Sequence, residues 1–347
     1  MKKILLSGAA LLALSATSAQ AEGLTLDLGG HFKGYGVYLD SDNDDLREFN
    51  IRKETEVHFT GETTLDNGLT VGVHVEADVD GDDDFATDEA YAYFSGGWGR
   101  VNFGEEDGAG YLLQVAAPSA DSNVDGLRQY ISASEVGVAL DYDMAISGSA
   151  NKVTYMTPVF NGFQAGASYT PTVGNDANGI TATQADNDES STLDDGYELA
   201  LRYEGAFEGV GVAVGAGYSR YDLEQDGDAK AWNAGVDLDF AGFGIGVAYL
   251  DEDTDVTTGP IFGLVPVEVK TWVVGADYQI GAYKLGASWM NKEVEALGAE
   301  ADGDRYTAGA TYSYGPGMSF RGSVSYIDSN DADFDETQVL VGTQVNF

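Results

Sequence analysis

Apolar and polar residues alternate with a period of two along most of the chain, the repeat of a β-strand whose two faces meet unlike surroundings. Sixteen such segments are readable, at 23–39, 48–65, 69–79, 88–95, 98–104, 151–157, 163–170, 196–204, 210–221, 230–239, 243–251, 267–279, 283–291, 304–314, 318–328 and 337–347. One parity is lipophilic throughout: Tyr197, Leu199, Leu201 and Tyr203 in one segment, Trp232, Ala234, Val236, Leu238 and Phe240 in another, Tyr306, Ala308, Ala310, Tyr312 and Tyr314 in a third. The other parity carries Glu198, Arg202, Asn233, Asp237, Asp239, Arg305, Thr307 and Ser313, with many glycines. Aromatics tend to sit at segment ends and small or aliphatic residues between them. A soluble sandwich also alternates, but it buries its apolar face on a second sheet. Aromatic ends around aliphatic middles fit a lipid-facing band with an interface on either side. Strands in lipid must pair every backbone group, which requires closure. The pattern therefore predicts an all-β chain, a 16-stranded antiparallel transmembrane β-barrel.

The connections support this. Short ones (Asp66-Asn67-Gly68, Gly96-Gly97, Pro158–Gly162, Gly205–Gly209, Ala241-Gly242, Gly281-Ala282, Gly315–Gly317) alternate with long ones (40–47, 80–87, 105–150, 171–195, 222–229, 252–266, 292–303, 329–336). Short turns at one end and long loops at the other are the habit of outer-membrane barrels, and an even strand number returns both chain ends to the periplasmic side. The last segment, QVLVGTQVNF, closes the cylinder with Val339, Val341, Val345 and Phe347 toward lipid.

Composition sharpens the picture. Glycine (46) and tyrosine (20) are abundant against 6 prolines, as suits β structure, and there is no cysteine. The formal net charge is −41, which disfavours binding to nucleic acid phosphates. The acids gather in the long connections, as in SDNDD (41–45), DGDDD (80–84), DLEQDGD (222–228) and DEDTD (251–255), so one mouth of the barrel is strongly acidic. Lys2 and Lys3, an apolar run, and Ala19-Gln20-Ala21 form a secretory signal peptide over 1–21, leaving 22–347 as one barrel domain.

Segment 105–150 is much longer than an ordinary connection, and such loops are usually functional or disordered. Its apolar residues (Tyr111, Leu112, Leu113, Val115, Val136, Val138, Leu140) argue against a free tail in this long third extracellular loop, and an apolar-anchored loop can fold inward and narrow a water-filled lumen.

Here the chain resembles a known family. The run DEAYAYFSGGWGRVNFGEEDG (88–108) is similar to the fourth and fifth strands of Gram-negative general diffusion porins. The run NKVTYMTPVFNGFQAGASYTP (151–171) is similar to their sixth and seventh, with Tyr155, Pro158, Phe160, Gly162 and Phe163 in the matching pattern. The terminal Phe347 resembles the signal read by the outer-membrane assembly machinery. The resemblance implies a cell outer membrane location, contact with the lipid bilayer and lipopolysaccharide, and a homotrimer. Each barrel would pass ions and small hydrophilic solutes through its own water-filled pore, narrowed by 105–150. In the family, acids on that loop face a basic cluster on the wall. The candidate acids are Glu105, Glu106, Asp107, Asp121, Asp125 and Glu135, with Asp121 and Asp125 nearest the loop's middle. Basic residues with lumen parity are Lys33, Arg52, Arg100, Lys152, Arg202, Lys284, Arg305 and Arg321, the first three on the early strands where the family places its basic wall. Many relatives carry Arg after the glycine that closes the fifth strand; here Glu105 stands there, which argues against anion preference. An acidic mouth should instead enrich cations.

A solute-specific channel is the alternative, and it would want a track of lumen aromatics or clustered Arg and Lys. Most aromatics have lipid parity, and the lumen basics are scattered. No nucleophile motif points to an enzyme. No cofactor is required, although Asp80, Asp82 and Asp84 suit a structural Ca2+, a hard cation that takes clustered carboxylates. The three histidines, His31, His58 and His74, share lumen parity. His58 and His74 should be diagonal neighbours about 7–8 Å apart across a turn, a weak case for a transition-metal site because no third ligand is evident.

Overall fold

The computed structural model describes residues 25–42, 46–79, 86–120, 126–129, 131–132, 140–173, 193–223, 227–259, 263–329 and 334–347. The expected signal peptide, 1–21, lies outside them, as do Asp80, Asp82, Asp84, Asp121, Asp125 and Glu135. The strands are β1 (Thr25–Ser41), β2 (Phe49–Thr64), β3 (Thr70–Asp78), β4 (Ala86–Gly96), β5 (Gly99–Glu105), β6 (Asn151–Met156), β7 (Phe163–Val173) and β8 (Leu193–Phe207). They continue as β9 (Val210–Leu223), β10 (Asp228–Phe240), β11 (Phe243–Gly259), β12 (Gly263–Ile280), β13 (Tyr283–Ala296), β14 (Ala299–Gly315), β15 (Met318–Ser329) and β16 (Phe334–Asn346). One short helix, α1 (Ala109–Leu112), lies between β5 and β6.

Each strand pairs antiparallel with its sequence neighbours, and β1 pairs with β16 from His31↔Asn346 to Ser41↔Glu336, so the sheet is a closed barrel. The terminal residue takes part in closure: Gly30 and Phe347 exchange backbone hydrogen bonds of 3.1 Å in both directions. The predicted outward parity is the exposed one, with Leu199 62%, Val341 64% and Phe347 60% exposed while the intervening Glu198, Leu340 and Gln338 are buried.

The outer face carries two aromatic rows. Trp232, Tyr249 and Trp272 meet ring to ring across strands, tilted, with centroids 4.8 and 4.4 Å apart, near the long connections. Phe243 and Tyr278 stack at 4.2 Å, and the tilted rings of Tyr283 and Tyr312 lie 4.8 Å apart, near the short turns. Trp232 and Phe240 are eight residues apart on β10, about 26 Å of extended strand, which at a tilt of about 40° spans about 20 Å along the barrel axis, close to the height of a lipid-facing band between aromatic girdles.

The sequence reading placed a long connection at 292–303. The structure instead runs β13 and β14 up to a two-residue turn, Leu297-Gly298, with φ of 56° and 74°. Two successive left-handed residues match the twist of a tight hairpin. The lower hairpin at Ala241-Gly242 (φ 51° and 92°) uses the same device. The strands overshoot the predicted ends because beyond the bilayer both faces are wet: hydrophobic parity vanishes while backbone pairing continues.

Candidate functional site: the barrel lumen

The described parts of 105–150 pack against the inner wall, the face opposite the aromatic rows. Ala117, Leu127, Leu140, Tyr142 and Met144 of this segment form one buried cluster with Ala231, Ala248, Leu250, Val273, Met290 and Ile327 of the wall. Ile131 forms a second cluster with Tyr35, Val37, Leu39 and Leu340. An apolar patch on the wall of a wet lumen would be unfavourable unless covered, so loop and wall carry matching stripes.

The close approach depends on missing side chains. A Cβ added at Gly235 would lie 2.2 Å from the carbonyl oxygen of Val115, and one at Gly275 would lie 1.7 Å from that of Pro118. These glycines have lumen parity on β10 and β12, so the loop backbone sits directly on the sheet.

The root of the loop is polar. Glu198 on β8, 2% exposed, accepts hydrogen bonds from Gly110 N (2.8 Å), the Tyr221 hydroxyl (2.5 Å) and the Ser147 hydroxyl (3.3 Å). Ser168 on β7 accepts from Ala109 N at 2.8 Å. The wall thus satisfies two N–H groups at the start of α1, whose own N-cap, Gly108, offers no side chain. The loop also pairs with itself: Gln129 N donates to Leu140 O (2.7 Å) and Tyr142 N to Leu127 O (3.0 Å), with Arg128 ion-paired to Asp143.

Among the described residues, the predicted wall cations are committed to local partners (Arg321 to the Ser319 hydroxyl at 3.2 Å), with Arg52 the exception. Lys33 is fully buried and ion-paired with Glu54. Arg100 donates to Asn102 Oδ1 at 2.6 Å and lies 4.0 Å from the centroid of the Tyr93 ring. Lys152, 3% exposed, donates to the carbonyl oxygens of Glu106 and Gly148, fastening the two roots of the loop together. Arg202 pairs with Glu204 and Lys284 with Asp277 (2.5 Å). Arg305 donates to Gln129 (2.7 Å) and Ser325 (3.1 Å). Arg52, opposite Tyr35, is exposed.

Among the candidate acids, Glu105 ends β5 opposite Ala90 and Asn151, on the parity opposite to the inward Asn102. Its neighbours turn inward. Glu106, 4% exposed, accepts from Asn102 Nδ2 at 2.6 and 2.7 Å, and Asp107 N donates to Glu89 Oε1 at 3.2 Å. Burial pushes the Glu106 carboxyl up to about 7, against the pull of Asn102, Arg100 and Lys152. Burial likewise pushes Asp107 up to about 7, against Arg128 and Lys152.

Sequence reasoning missed the acids of the wall. Glu54, Glu56, Glu76 and Glu89 share the inner face of β1–β4 with the histidines, where the resemblance implied a basic cluster. Their parity is legible in the sequence, but parity alone does not show that they gather on one stretch of wall. Lumen aromatics also exist: Tyr91 and Tyr93 stand 6.5 Å apart beside Arg100, and Tyr93 donates to Glu62 at 2.7 Å.

A closed antiparallel barrel, apolar and aromatic outside and charged within, defines the class as a transmembrane β-barrel with a polar lumen. A family model described as Gram-negative porin matches residues 8–332, and the chain belongs to that family. It is 26% identical to Outer membrane protein U of Vibrio parahaemolyticus, over 95% of this chain and 92% of that protein. The fold resembles OmpT, an outer membrane protein of Vibrio cholerae solved in a trimer form, with a TM-score of 0.67 at 16% identity, covering 94% of this chain and 100% of that one. It also resembles an anion-selective porin from Comamonas acidovorans, with a TM-score of 0.64 at 14% identity, covering 93% and 100%. The protein is an outer-membrane diffusion channel and not an enzyme. The fold itself does not set the sign of ion selectivity.

Proposed function

We propose that this channel passes ions and small hydrophilic solutes passively, with a modest preference for cations. One observation carries the reading: among the described residues, the inward basic residues, Arg52 apart, are engaged with carboxylates, carbonyls, hydroxyls, amides or an aromatic ring, while the inward carboxylates, Glu54, Glu56, Glu76, Glu89, Glu106, Asp107, Glu198, Glu204 and Asp277 among them, outnumber them. Charge in a narrow aqueous passage sets ion preference, and segment 105–150 supplies the narrowing. In the same reading the protein is a homotrimer contacting lipopolysaccharide, and Phe347 is its assembly signal. Asp121 and Asp125 are proposed as constriction acids, and Asp80, Asp82 and Asp84 as a Ca2+ site at the acidic mouth. Reversal potentials across a KCl gradient in planar bilayers test the selectivity. Potassium should be favoured at low salt, less so as salt screens the lumen. A preference for chloride would overturn the proposal.

The same recording should depend on pH. Glu106 and Asp107 are both charged at pH 8.5 and both neutral at pH 5, since each titrates about 7. Cation preference should therefore fall as pH drops through that window, and the Glu106→Gln, Asp107→Asn double variant should flatten the step. The sign for stability is fixed by the same shift. Folding favours the protonated carboxyls, so their stabilising contribution is full below about pH 4 and is lost as pH rises through about 7. Loop 105–150 should accordingly resist proteolysis better at pH 5.5 than at pH 8.

A further inference from the structure

All three histidines of the chain stand in one row on the lumen wall. His31 on β1 and His58 on β2 have ring centroids 6.1 Å apart, and His58 and His74 on β3 are 5.8 Å apart. Two carboxylates interleave with them. Glu56 Oε2 lies 3.7 Å from His31 Nδ1 and 3.1 Å from His58 Nε2. Glu76 Oε1 lies 3.5 Å from His58 Nδ1 and 2.7 Å from His74 Nε2. In each triad, His31-Glu56-His58 and His58-His74-Glu76, the three ligand atoms lie within 4.8 Å of one another. The third ligand absent from the sequence reading is thus supplied by register, since His58 faces Glu76 and His31 faces Glu56 across the strands.

We propose that this ladder is a binding site for a divalent transition-metal ion of the Zn2+ class. Imidazole with carboxylate suits such ions and not Ca2+ or Mg2+. Donors about 2.0–2.1 Å from a tetrahedral Zn2+ lie about 3.3 Å from each other, and the distances above bracket that value. The outer shell points the same way. His31 turns Nδ1 into its triad while Nε2 is held by Glu54 Oε1 at 2.6 Å, and Glu54 is itself paired with the buried Lys33. His74 turns Nε2 into its triad while Nδ1 is held by the Thr60 hydroxyl at 2.8 Å. Metal-binding histidines are oriented in this manner, one nitrogen on the ion and the other on a carboxylate or another polar group. His58 belongs to both triads and presents one nitrogen to each; a neutral imidazole has only one unprotonated nitrogen to give, so occupancy is one ion per chain. Its side chain is 29% exposed, against 9% for His31 and 16% for His74, which opens the site to ions in the lumen.

The test uses the purified full-length mature protein in detergent without a histidine tag, titrated with Zn2+ in excess Ca2+ to occupy acidic loops. We expect one Zn2+ per chain, with imidazole scattering in the Zn X-ray absorption spectrum. His58→Asn should weaken binding by at least about tenfold, and Glu54→Gln, which keeps every ligand, by a smaller factor. If His58→Asn does not assemble, the Glu56→Gln, Glu76→Gln pair, which retains all three rings, carries the same prediction. Oxygen-only coordination, no saturable binding above the Ca2+ background, or undiminished affinity in these variants would overturn the proposal.

Discussion

Replacing Gly275 by valine is expected to drive segment 105–150 off the barrel wall and lower single-channel conductance. The new Cβ would meet the Pro118 carbonyl oxygen at 1.7 Å and its carbon at 2.7 Å. These are backbone atoms, so no rotamer relieves the clash, and the wall strand is fixed by pairing on both sides, Gly275 to Gly246 and to Ser288. The loop must therefore move toward the pore axis. Overpacking of this kind costs about 1–3 kcal/mol, borne by the loop's seat and not by the barrel. The companion change Gly235→Val, under Val115, should act in the same direction. Gly315→Val is the control, since nothing lies within 4 Å of its added Cβ. Conductance and protease resistance in Gly275→Val equal to the parent would refute a loop seated on glycines.

Glu198→Ala should act at the loop's root and in the opposite direction. The substitution strands the buried Gly110 N, takes from the Tyr221 and Ser147 hydroxyls the carboxylate they share, and removes a nearby negative charge that favours charged Lys152. Each stranded group costs about 1–3 kcal/mol, with the terms not strictly additive because the donors share one acceptor. Both ends of the loop are then loosened. The expected result is a noisier channel with a higher mean conductance and cleavage confined to 105–150, while the barrel keeps its strand content. Glu198→Gln preserves the volume and a carbonyl acceptor and should be intermediate. A quiet, parent-like channel in Glu198→Ala would place the loop's stability elsewhere.

Much of the barrel could be read from the sequence because lipid enforces alternation. Tyr197, Leu199 and Leu201 against Glu198 and Arg202 is a pattern that water on both faces would not impose. The same physics set the limit of legibility. At 292–303 and 252–266 the strands project beyond lipid, parity disappears, and segments such as Glu293–Glu295 read as loop although they pair residue by residue. The lumen was harder, for a different reason. Parity places a residue inward but says nothing of its partner. Lys33 and Lys152 have the inward position expected of a basic wall, yet one neutralises Glu54 and the other ties two carbonyls. The glycine seat was visible as Gly235, Gly246 and Gly275 at inward positions, but only register shows that they lie under Val115 and Pro118. The histidine row needed the same information, since Glu56 and Glu76 become ligands by cross-strand placement alone.

An open aqueous path through a sealed barrel should be seen in single-channel recordings of the purified protein in planar bilayers in concentrated KCl. Long-lived ohmic steps of uniform size are expected, grouped in threes if each assembly inserts three pores, and unsaturated by any one small solute. A protein that inserts with full strand content yet carries no current would contradict it.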